Sequence, residues 1–363
     1  MTWIDLTKGL AILGIVFFHF FQNYPDRLDW VVVLDRLGAK IGYGAVDIFF
    51  VIAGFNISYS LALKAYKNNS NKITTHWRSW LFKRLNRLYP TYFLAIGMTL
   101  LLYAILNQSR KYYSFKFLLT LFGFAGSSAA FINSGLWFFT VILQAYLITP
   151  IIFWICKSQA RKIFILGMVV GIVSKLICLT VPFESRLYWN LLQHNHIGSY
   201  FFQFCLGLYW GIVFSKHQSL RKIDKMATVG LFIVSVIFYG LLIFTKTRVI
   251  YMQGFDIAFT PFLFLVCYLG FEYLAKFEKQ LKYILKSFSI SGLYSYQIYL
   301  IHQPLFFVLL PYIVKNLTID PNIRVAIAIG ISGVLLILYV ILFIFVERLL
   351  RKIASFSPIK LNF

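Results

Sequence analysis

Acidic residues are scarce in this chain: 12 Asp and Glu stand against 35 Lys and Arg in 363 residues, and charged residues of both signs make up only 13%. With 60% of the residues apolar and a mean hydropathy of +0.76, there is too little polar surface for a soluble domain of this size. Composition therefore points to a polytopic membrane protein. Cysteine is also sparse. Cys156, Cys178, Cys205 and Cys267 each lie in an apolar segment without metal-type spacing, and they read as small buried residues. A Cys/His metal pattern, a Gly-rich phosphate loop and a Ser-nucleophile elbow are all missing, so nothing suggests a bound metal. The net charge of +23 would suggest nucleic acid in a soluble protein. Here it is read loop by loop as topology, and no nucleic-acid partner is expected. The N-terminus lacks a basic stretch followed by a small-residue cleavage site, so its first hydrophobic segment is expected to remain as a span.

What is present is long apolar runs. At roughly 20 residues per span, ten are expected, at 6–22, 42–64, 88–107, 135–156, 162–182, 197–215, 226–246, 254–275, 293–314 and 323–347. A shorter patch, Phe115–Ala125, reads as an interfacial or re-entrant helix. The connection 65–87 holds Lys67, Lys72, Arg78, Lys83, Arg84 and Arg87 with no acid. Lys157–Lys162, Lys216–Lys225, Lys276–Lys286 and the tail with Arg348, Arg351, Lys352 and Lys360 are basic too, whereas the intervening loops are balanced or mild, with Arg110, Lys111 and Lys116 in an outside loop as one mild exception. Positive-inside alternation then places both termini in the cytoplasm. Only helices satisfy their backbone in lipid at this span length. The expectation is one all-α membrane domain over residues 1–363, without internal repeats.

Ionisable groups inside such spans are functional candidates by default. In IDLTKGLAILGIVFFHF, Lys8 and His19 are eleven residues apart. A helix puts them within about 20° on one face and roughly 16 Å apart along the axis. Asp5 lies on nearly the same side. Lys8 alone also suits an interfacial lysine that snorkels. The second span opens GYGAVDIFFVIAGF and runs the opposite way, so Asp47 is expected at a depth close to that of His19. A carboxylate on one imidazole nitrogen would fix the tautomer and make the other a general base for a hydroxyl. In WRSWLFKRLNRLYPTYF, Arg84 and Arg87 share a helical face at the cytoplasmic boundary, with Pro90 kinking or starting the next span. Such a pair suits phosphates, and it equally suits topology and lipid headgroups. Trp137, Gln144 and Tyr146 are available to line a cavity, as are Tyr296, Tyr299 and His302, with a kink expected at Pro304. His194 and His196 read as surface residues of an outside loop.

These stretches together resemble the acyltransferase-3 family of bacterial multi-span membrane proteins, which move acyl groups onto cell-surface carbohydrates. The opening IDLTKGLAILGIVFFH, then GAVDIFFVIAGFNIS, FKRLNRLYPTYF, GLWFFTVILQAYLITP, YFFQFCLGLYWG and SYQIYLIHQPL follow the family's motifs in order over nearly the whole chain. There are departures. Lys8 stands where Arg is more usual, losing the bidentate fork, and Ala53 replaces Ser before Gly54. Ile142 and Leu143 occupy a place where many members carry a glutamate, which is more similar to the subgroup modifying exopolysaccharides. The esterase-like extracytoplasmic domain fused to some members is absent from this sequence, so transfer would either finish here or pass to a separate extracytoplasmic protein.

The resemblance implies a multi-pass protein of the bacterial plasma (inner) membrane. Its donor would be cytoplasmic acyl-CoA, most often acetyl-CoA, with no tightly bound cofactor, and its acceptor a hydroxyl of a surface polysaccharide or lipid-linked sugar. Lys8, Arg84 and Arg87 would grip the CoA phosphates. His19 with Asp47 would carry the chemistry, by direct deprotonation or through an acyl-histidine, and both routes stay open at this point. Asp5, Trp137, Gln144, Tyr299 and His302 would line the substrate cavity, and one of the last four would donate to the oxyanion. Two other classes suit part of the pattern: a polysaccharide or lipid-linked sugar transporter using Asp47 and His19 as a relay, and a structural subunit of a synthesis complex.

Overall fold

In the computed structural model, the first apolar run forms α1 (Thr2–Asn23), and α2 (Asp29–Lys67) returns beside it. Residues 2–68, 73, 75–106, 114–182, 184–185, 187–188, 196–243 and 254–356 are described. Lys72, Arg110, Lys111, His194 and Lys360 lie outside them. There follow α3 (Trp77–Ile105), α4 (Ser114–Leu121), α5 (Trp137–Ile155), α6 (Ala160–Leu179), α7 (Phe201–His217) and α8 (Lys222–Ile243). The chain ends through α9 (Asp256–Leu274), α10 (Lys282–Leu293), α11 (Ser295–Asn316) and α12 (Pro321–Phe356). Among the described residues there is no strand, and 8 helical stretches are long and apolar enough to cross a membrane. The two other expected spans, 162–182 and 226–246, are the helices α6 and α8. The protein is an all-α, multi-pass membrane protein.

Several boundaries depart from expectation. Residues 29–41, expected as connection, are the first part of α2, whose 39 residues would extend about 58 Å, roughly twice the hydrocarbon core. Val31 is buried in the outer cluster with Phe20, Phe21 and Phe306, and Arg27 pairs with Asp35 at 2.6 Å. Apolar contact and charge pairing thus hold the extra turns. Pro90 and Pro304 interrupt neither α3 nor α11, which run on through them as single helices. One helix boundary falls at Tyr294, between α10 and α11.

Glycine sets the closest crossings. On α7, Gly207 and Gly211 are four residues apart and face α2: a Cβ on Gly207 would strike the Val51 carbonyl, and one on Gly211 the Phe55 carbonyl and Ser58 hydroxyl. Gly54 answers from α2 against the Phe204 carbonyl. This is the small-xxx-small solution to helix packing in lipid, where close backbone approach replaces the hydrophobic effect. Gly9 of α1 and Gly292 of α10 make a second such crossing, against Phe288 and Asp5 respectively.

The patch at Phe115–Ala125 behaves as a re-entrant element. The helix α4 is 8 residues long, about 12 Å, and cannot span. Carbonyls at and just past its end are taken by tyrosines of α3, Tyr92 Oη donating to Thr120 O at 2.5 Å and Tyr89 Oη to Phe122 O at 2.9 Å. On the return, Tyr103 Oη donates to Ile132 O at 3.0 Å. Non-helical backbone at membrane depth survives only where protein satisfies it.

Candidate active site

Helices α1 and α11 bring His19 and His302 face to face, with ring centroids 5.2 Å apart and planes inclined at 41°. The His302 ring is fully buried, and its Nδ1 lies 2.9 Å from the Ile298 carbonyl oxygen. A carbonyl only accepts, so Nδ1 carries the proton and Nε2 presents a lone pair. That Nε2 is buried and has no hydrogen-bond partner among the described residues. His19 Nδ1 stands 2.9 Å from Gln22 Oε1 and 3.5 Å from Gln303 Nε2. Donation to Gln22 leaves the free lone pair of this ring on Nε2 as well. Two imidazoles with engaged Nδ1 atoms and free Nε2 atoms suit removal of a proton from a hydroxyl.

Asp47 does not orient His19, contrary to the expected pairing. It is buried and accepts a 2.8 Å hydrogen bond from Thr260 Oγ1 of α9. The reason is register. Because α2 begins at Asp29, the residues opposite Phe18 are Gly38 and Gly42. Asp47 follows Gly42 by five residues and so lies about 7.5 Å further along the axis. His19 is oriented from its own helix instead, through Gln22.

The aromatic candidates form a wall beside the histidines. Tyr299 and His302 rings are 5.9 Å apart, and Tyr299 packs on Phe138 at 4.8 Å. Tyr200 continues the wall, stacked on Phe50 at 4.4 Å and on Trp137 at 5.8 Å. Gln144 is a structural anchor. Its Oε1 accepts from the Ile197 N–H at 2.8 Å and holds the turn Ile197–Tyr200 that leads into α7. Asn133 works likewise, donating to the Leu300 carbonyl at 2.6 Å while accepting from the Gly135 N–H.

Towards the expected cytoplasmic side, Lys8 pairs with Asp5 at 2.6 Å, so Asp5 serves the lysine. The Arg84 guanidinium lies 5.5 Å over the Trp80 ring, with Tyr146 and Arg87 within electrostatic reach. Buried Trp80 Nε1 and Tyr296 Oη have no hydrogen-bond partner among the described residues. Beside them is a network that the sequence did not suggest. Glu347 accepts from Thr91 at 2.5 Å, Gln297 at 3.1 Å and Arg351 at 2.7 Å, while Arg351 also reaches the Arg87 carbonyl at 3.4 Å. It fastens α3, α11 and α12 together where Arg87 leaves α3.

A second missed group is the buried ion pair of Lys175 on α6 with Asp256 on α9, 2.9 Å apart, with Gln203 of α7 donating to the same carboxylate oxygen at 2.8 Å. Asp256 precedes Thr260 by one turn, so α9 carries the partners of both Asp47 and Lys175. The signal was legible: Lys175 is the one cation in the apolar run from Ile163 to Leu179.

Comparison with known proteins fits this architecture. A family profile described as an acyltransferase domain, acyltransferase-3, matches residues 1–346. The O-acetyltransferase OatA of Staphylococcus aureus strain NCTC 8325 is 23% identical over 328 residues, covering 83% of this chain and 50% of its own length. The putative peptidoglycan O-acetyltransferase YrhL of Bacillus subtilis strain 168 is 24% identical over 210 residues, 52% of this chain and 30% of its own. The chain thus spans half the length of OatA and less of YrhL. No solved structure matches it. The transport reading draws no support from these relatives, and with the family's profile running over almost all of the sequence, this chain belongs to the acyltransferase-3 family.

Proposed function

We propose that the chain transfers an acyl group, acetyl in the first instance, from cytoplasmic acyl-CoA to a hydroxyl of an extracytoplasmic surface carbohydrate, working in the bacterial plasma membrane. The observation carrying this reading is the pair His19 and His302, whose rings lie 5.2 Å apart on two apolar helices, with the buried His302 Nε2 left without a partner among the described residues. The names of the relatives supply the acyl group, O-acetyl. One imidazole Nε2 removes the hydroxyl proton as the oxygen attacks the thioester carbonyl. The C–O bond forms, the C–S bond breaks, and the CoA thiolate leaves and takes the proton back from the imidazolium. Gln303 and Tyr299, beside the two rings, are the candidate donors to the oxyanion. Asp47 is assigned a positioning role, holding α9 to α2 through Thr260.

Lys8, Arg84 and Arg87 would take the CoA phosphates at the inner mouth, where the unpartnered Trp80 and Tyr296 hydrogens await an acceptor. The acceptor hydroxyl belongs either to the carbohydrate itself or to a separate extracytoplasmic protein that passes the acyl group on. The test uses protein in proteoliposomes, with acetyl-CoA on one side and free thiol and O-acetyl product measured. His19→Ala is expected to abolish transfer while acetyl-CoA still binds. Arg84→Ala, or removal of the CoA 3′-phosphate, is expected to weaken that binding. A fully active His19→Ala protein would overturn the chemistry, and a wild-type protein that binds no acetyl-CoA would overturn the donor.

A further inference from the structure

Between α6, α7, α8 and α9 lies a groove of about 340 Å³ that neither the histidine pair nor the arginine face uses. Its walls are apolar, with Phe164, Leu206, Trp210, Leu231 and Pro261 among them. Along α8 it runs from Arg221, just before the helix, to Leu231, about 15 Å, which is half the hydrocarbon thickness of roughly 30 Å. Its mouth is at the end where the connections Lys157–Lys162 and Lys216–Lys225 emerge, both basic. Arg161 there is exposed and makes no hydrogen bond or ion pair among the described residues. Arg221 is held in place by Asp224, through Nε at 2.8 Å and Nη2 at 3.1 Å, and by Tyr209 Oη. Those bonds to Asp224 raise the Arg221 pKa further, so its charge is permanent. Asp224 balances Arg221 alone, leaving the mouth positive.

We propose that this groove is a binding site for one anionic phospholipid of the cytoplasmic leaflet, an acyl chain between α7 and α8 and the phosphate at Arg161 and Arg221. The volume is at the small end of ligand sites, the length is one leaflet deep, and the mouth has the charge an acidic headgroup requires. The lining residue Pro261 directly follows Thr260, which holds Asp47. An occupied groove therefore supports the helix that the polar cluster depends on.

The test is a lipid titration of the full chain in detergent, read by native mass spectrometry, with phosphatidylglycerol and phosphatidylcholine of the same chains as probes. Phosphatidylglycerol is expected to bind at least fivefold more tightly, and Arg161→Gln to weaken it about fivefold, in line with one basic contact. Ala227→Trp fills the groove and is expected to remove the tight site. Val234→Trp, on the lipid-exposed face of the same helix, is expected to leave it intact. Equal binding of the two lipids, or tight phosphatidylglycerol binding in Ala227→Trp, would overturn the proposal. Displacement by millimolar inorganic phosphate would do so too, because the mouth alone would then be the site.

Discussion

The ion pair between Lys175 and Asp256 gives a sharp quantitative test of the polar interior. Its side chains are 8% and 4% exposed and its atoms 2.9 Å apart. At an effective dielectric near 20, the attraction is about 6 kcal/mol, set against several kcal/mol of desolvation for each ion. The net worth of the pair is therefore small, whereas stranding one member is expensive. Lys175→Met leaves the carboxylate with neutral donors alone, the Gln203 amide and the Ile257 backbone N–H, while its Oδ1 lacks a partner among the described residues. The expected loss is about 3–5 kcal/mol, and Asp256→Asn, which strands the ammonium, should be similar. The double replacement leaves a neutral amide still able to accept from Gln203 and no buried charge, so it should cost less than either single change. Equilibrium unfolding in mixed micelles for the four proteins closes the cycle. Additive losses, or single changes each under about 1 kcal/mol, would refute the claim that these charges compensate one another in a dry interior.

Other outcomes follow from the same geometry. Replacing His19 or His302 by alanine should each lower turnover by about 10²–10⁴-fold, and the double variant should be little worse than the poorer single one, as for groups acting as a unit. Thiol release under single-turnover conditions checks this. Gly207→Leu should prevent α2 and α7 from closing, read as lost monodispersity in detergent, while Gly270→Leu, with open space around it, should remain well behaved. Arg351→Ala should raise the apparent KM for acyl-CoA more than it lowers turnover, since it releases Arg87 and leaves Glu347 to Thr91 and Gln297; initial rates at varied acetyl-CoA measure the split.

The architecture was readable because lipid imposes a single rule: long apolar runs become helices, and basic loops mark one side. That rule reaches hydrophobic lengths and not helix ends. It therefore missed the first turns of α2, where residues 29–41, with Asp29, Asp35, Arg36 and Lys40 among them, are helical and Val31 has a cluster to pack into. The short patch after Ser114 was identified by its length, but its descent into the protein depends on Tyr89, Tyr92 and Tyr103 presenting hydroxyls to its carbonyls. Those pairings join residues far apart in the chain and leave no local pattern.

The site was legible in its residue types and not in their partners. His19 and His302 announce themselves as ionisable groups in apolar helices, and each was singled out; that they face one another depends on where α11 crosses α1. Asp47 makes the point most clearly. Pairing it with His19 assumed that two antiparallel spans begin at the same level, but the Phe18 contact with Gly42 slides α2 so that Asp47 meets Thr260 instead. A shift of five residues exchanges one partner for another without changing a single letter of the motif. The orientation of His19 consequently rests on Gln22, a neutral amide that leaves the imidazole a weaker base than a carboxylate would. Introducing that carboxylate tests the argument. Gln22→Glu should pair with the His19 imidazolium and shift the acid limb of the pH–rate profile upward, towards higher pH, because protonated His19 is inactive as a base and would persist to higher pH. An unchanged acid limb with retained activity would mean that His302, not His19, takes the proton.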